Sequence, residues 1–93
     1  MVNDDDVEIA ELAILELPRA RTAPFNASLN IIRHLVNVTK NNGMRSLDLE
    51  NARADAWLAI CALGQTLEKE RRCSDELWDK AIKHTEHWKS LLA

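Results

Sequence analysis

The chain has 93 residues, 46% of them hydrophobic and 29% charged, with a net charge of −3 and a sequence pI near 5.5. That suits one domain, residues 1–93, around one core, and is an ordinary soluble composition rather than that of a disordered chain. Two glycines, two prolines and no tyrosine leave few breaks, so the expected fold is all-α: a compact bundle of about four helices with a long third helix.

Charge is sorted along the sequence. Residues 1–17 carry six acids and no base, residues 18–47 five bases and no acid, and residues 48–93 nine acids and seven bases. Blocks of one sign either pair inside the fold or face a charged partner. The acidic opening does not read as a signal peptide. The longest apolar run, Ala56–Gly64, is nine residues, against the roughly 20 a membrane helix needs. The expected setting is cytoplasmic, without a membrane.

The first helix is expected from about Asp4 to Leu17, capped by Asn3 or Asp4, with acids at the positive end of its dipole. Val7, Ala10, Ile14 and Leu17 share a stripe, with Ala13 beside it. Pro18 should close the helix, leaving Pro18–Pro24 as a linker.

The second helix is expected from about Pro24 to Asn42, stopped by Gly43 in a left-handed conformation. Phe25, Leu29, Ile32, Val36 and Thr39 recur at helical spacing, widened by Ile31, Leu35 and Val38. Its polar side is unusual: Asn26, Asn30, Arg33, Asn37, Lys40 and Asn41 lie near one another, and Arg45 follows. Asn is a mediocre helix former, so a plainly solvated face would use other residues. The side chains can pair with amides, base edges or phosphates. Three readings compete: a solvated face or one balanced by the acidic first helix, a protein-binding face, and a nucleic-acid-binding face. The net negative charge, the apolar third helix and the lack of interleaved aromatic residues count against nucleic acid.

Ser46 caps a third helix expected from Leu47 to Arg72, with Asp48 and Glu50 in the first turn and bases in the last. One stripe holds Leu49, Ala52, Ala56, Ile60, Leu63 and Leu67. Nearly opposite lies a second: Leu47, Ala54, Leu58, Cys61 and Ala62, with Trp57 between. A helix apolar on two sides is either central in its bundle or buried against another chain. In the second case Leu47, Ala54, Trp57, Leu58 and Cys61 form a self-association surface. The fourth helix starts at Ser74 and turns Leu77, Trp78, Ala81, Ile82, Thr85, Trp88 and Leu92 inward. The expected core is Ile14, Leu29, Ile32, Val36, Leu49, Ala56, Ile60, Leu63, Leu67, Trp78, Ile82 and Trp88.

No catalytic, cofactor or metal motif stands out. His84 and His87 are three apart, but no further zinc ligands can be named. Cys61 and Cys73, 12 positions apart on one helix, sit ~18 Å apart, too far to bridge. Cys73 follows Arg71 and Arg72, where positive charge can lower a thiol pKa. The fourth helix, with two tryptophans on one face and several lysines outside it, also resembles an interfacial membrane helix, but its acids favour a bundle. The expected function is non-enzymatic: a small helical protein–protein interaction module, self-associating as a homodimer, that binds, blocks or scaffolds another protein. The alternative is a nucleic-acid-associated regulator using the Asn/Arg/Lys face.

Overall fold

A computed structural model describes residues 4–40 and 43–92. Four helices account for nearly all of it: α1 (Asp4–Thr22), α2 (Phe25–Thr39), α3 (Leu47–Glu70) and α4 (Asp75–Leu92). Each packs on its chain neighbours, and α4 closes the ring against α1, so α1 faces α3 across the diagonal, as α2 faces α4. Short connections between successive helices give an up-down-up-down bundle, 38 × 20 × 19 Å. Among the described residues no helix is long and apolar enough to cross a membrane.

The expected third-helix core stripe is buried throughout: Leu49, Ala52, Ala56, Ile60, Leu63 and Leu67. Around it lie Leu29, Ile32 and Leu35 of α2 and Trp78, Ala81 and Trp88 of α4. Ile14, Val36 and Ile82, also expected in the core, are only partly buried. In α1 the innermost stripe is Asp6, Ala10, Ala13, Leu17 and Ala20, rotated slightly from the expected one. Its alanines let the neighbouring helices approach closely.

Pro18 does not end α1. The helix runs through it to Thr22, and the expected linker shrinks to Ala23 and Pro24. Proline removes one N–H and costs a helical hydrogen bond, but Pro18 is solvent-exposed while Leu17 and Ala20 are buried. The last turn is held further by Arg21, which donates to Asp75 and Asp79 of α4, both at 2.9 Å.

Helix ends follow their caps. Ser46 accepts from the Leu49 amide and Ser74 from the Leu77 amide, as expected. The third helix stops at Glu70 rather than Arg72. Arg71 adopts the left-handed conformation at φ 64°, its amide bonded to the Leu67 carbonyl. The second helix ends at Thr39, before the expected Asn42. There the Arg53 guanidinium donates to the Thr39 carbonyl at 2.7 Å, satisfying an orphaned helix-end acceptor.

Candidate interaction surface

The second stripe of α3 faces outward because α3 has neighbours on two sides, not three. Leu47 is 74% and Leu58 58% exposed, and Ala54, Trp57, Cys61 and Ala62 are half-buried. The other three helices therefore leave an apolar ridge open. Leu47 and Leu58 are three turns apart on one face, with Ala54 between them. Trp57 leans toward α2, and its indole donates to the Val36 carbonyl at 3.1 Å. Its polar edge is thus occupied within the chain.

The polar side of α2 stays exposed at Asn26, Asn30, Arg33, Asn37 and Lys40. Asn41 lies outside the described residues. Arg33 is not a free cation: its guanidinium meets Glu68 of α3 at 2.9 Å. A groove of about 360 Å³ runs between α2 and α3, lined by Arg33, Asn37, Cys61 and Glu68 among others. It brings members of both expected surfaces to one place.

Arg45 does not belong to that face. Its side chain is 1% exposed, as is that of Asp6. The guanidinium meets the Asp6 carboxylate through two nitrogens, Nη2 to Oδ1 at 2.9 Å and Nε to Oδ2. It also donates to the Gly43 carbonyl at 2.8 Å and approaches Glu50. A buried guanidinium needs this forked pairing to offset desolvation. The hydrogen bond donated to Asp6 raises the Arg45 pKa further, so it stays a cation. The earlier assignment of Arg45 to a partner surface is therefore corrected. Asp6 was missed because it stands in an exposed-looking acidic run; its place on the Ala10–Leu17 stripe was the available signal.

The charge blocks meet inside the fold at several points. Asp6 pairs with Arg45, Arg21 with Asp75 and Asp79, Arg33 with Glu68, and Arg19 with Glu16, while Arg53 and Glu50 pair within the third block. Glu50 is held below the usual carboxylate range, chiefly by its hydrogen bond from Arg53.

Neither thiol is activated. Burial pushes Cys61 up, and burial followed by Glu70 pushes Cys73 up despite the adjacent arginines. His84 lines a cleft between α3 and α4 with Asp55, Leu58 and Lys80, whereas His87 is exposed. Comparison with protein-family models, curated proteins and solved structures finds no match to this chain.

Proposed function

We propose that this protein is a non-enzymatic helical interaction module that self-associates through the outward ridge of α3. The observation that carries this reading is the exposure of Leu47 and Leu58 on a helix whose small neighbours permit close approach. The occupant is a second copy. An antiparallel, two-fold pairing with its axis level with Ala52 and Arg53 sets Leu58 of each copy against Leu47 of the other, and symmetric dimers are the commonest oligomers. The remaining face of α2 is left for a further protein partner. A nucleic-acid role has less support, because Arg45 is enclosed and Arg33 is engaged by Glu68.

Leu58→Asp tests the reading. Since Leu58 is mostly exposed, the variant should keep its helical circular dichroism and thermal midpoint while its sedimentation mass falls to that of one chain. A variant that still self-associates, or a wild type that never does, rejects the ridge as an interface.

A further inference from the structure

At the end of the bundle away from Asp6, a pocket of about 190 Å³ opens between the start of α2 and the end of α3. By the ~30 Å³ that a water occupies in the liquid, it has room for a small organic molecule, on the order of six waters. Phe25, Leu67 and Trp78 give it apolar walls, and Arg71, Arg72 and Ser28 bring polar groups to it. Ser28 is 3% exposed, lines the pocket, and donates its amide to the Pro24 carbonyl at 2.9 Å. Its hydroxyl can donate to or accept from a molecule in the pocket.

The corner is also electropositive by construction. Helix α2 opens on Pro24 with no side-chain cap and no acid in its first turn. Its first amides and dipole end are left uncompensated. Arg71 is set over the Phe25 ring, 5.0 Å from its centroid, by its left-handed backbone. Asp75 and Asp79 are engaged by Arg21, which also lines the pocket. Glu70 lines the adjoining cleft instead.

We propose that this pocket binds a small carboxylate with a compact apolar body. The carboxylate faces Arg71, Arg72, Ser28 and the first turn of α2, and the apolar body lies against Phe25, Leu67 and Trp78. This site is separate from the α3 ridge and does not depend on self-association.

The test is a titration of the full chain with benzoate, benzamide and inorganic phosphate, followed by amide chemical shifts. Benzoate should give saturable shifts confined to the first turn of α2 and to Arg71–Cys73. Benzamide and phosphate should each bind about tenfold or more weakly, one lacking the charge and the other the apolar body. Arg72→Ala, an exposed change that leaves the fold alone, should weaken benzoate by about tenfold. Arg71→Gly, which suits the left-handed position, should weaken it similarly. Shifts that do not saturate, equal affinity for benzamide or phosphate, or indifference to both arginine variants would overturn the assignment.

Discussion

At one end of the bundle, where α1 and α3 begin, Arg45 and Asp6 are enclosed together beside the core. At the other, Arg21 reaches Asp75 and Asp79 in the open, over a core of Leu17, Ala20, Leu67 and Trp78. The first end holds the core cluster of Ala10, Leu49, Ala52, Ala56, Trp88 and Leu92, the second the larger one. Trp88 is fully buried and its indole N–H has no partner among the described residues. One end thus encloses an ion pair, and the other carries its ion pairs at the rim. The same kind of contact, a guanidinium on a carboxylate, therefore does different work at each end. A buried pair is costly to break because the survivor stays desolvated, whereas an exposed pair is screened by water and salt.

The largest expected effect is at the enclosed pair. Asp6→Asn should lower unfolding free energy by about 3–5 kcal/mol, measured by urea denaturation, because Arg45 loses the buried carboxylate that pairs it through two nitrogens. Replacing both partners, Asp6→Leu with Arg45→Met, should recover most of that loss or exceed it. If Asp6→Asn costs no more than Arg21→Ala, the contrast between the ends fails. Next comes Leu67→Ala at the apolar end, expected to cost about 2–5 kcal/mol through lost burial and a residual cavity.

A smaller effect is pH-dependent and local to the polar end. Glu50 has a folded pKa below its unfolded one, so its contribution is complete above the ordinary carboxylate range. It is lost as pH falls through the folded value. Thermal midpoints followed from neutral pH down to about pH 3 should decline less steeply in Glu50→Gln than in wild type. The smallest effect belongs to Arg21→Ala. Its slight lowering of the midpoint should vanish in about 1 M salt, where the Debye length is ~3 Å.

Much of this was readable from residue spacing. The inner stripe of α3 and the Ser46 and Ser74 caps follow from periodicity and from hydroxyls placed one residue before a helix. Spacing also marked the outer stripe with Leu47 and Leu58, because an apolar residue on the wrong face stands out on a helical wheel. It could not tell which side of α3 its neighbours would leave open, since that depends on bundle order. Pro18 misled because its cost is local, while the burial of Ala20 and the pairing of Arg21 that outweigh it come from α4, far along the chain. Arg45 misled for the same reason: its partner is 39 positions away, and a basic residue beside an asparagine-rich helix gives no sign of being enclosed. The pocket beside Ser28 was likewise invisible, being assembled from the start of α2, the end of α3 and the first turns of α4.

With Arg45, Arg33 and Arg21 engaged inside the chain, the proposed self-association rests on the apolar ridge of α3. Light scattering on a size-exclusion column, at low and at high salt, tests this most directly. A mass twice that of the 10.6 kDa chain is expected in both conditions, because an apolar contact is not screened. A single-chain mass in both, or a dimer that dissociates at high salt, would contradict it.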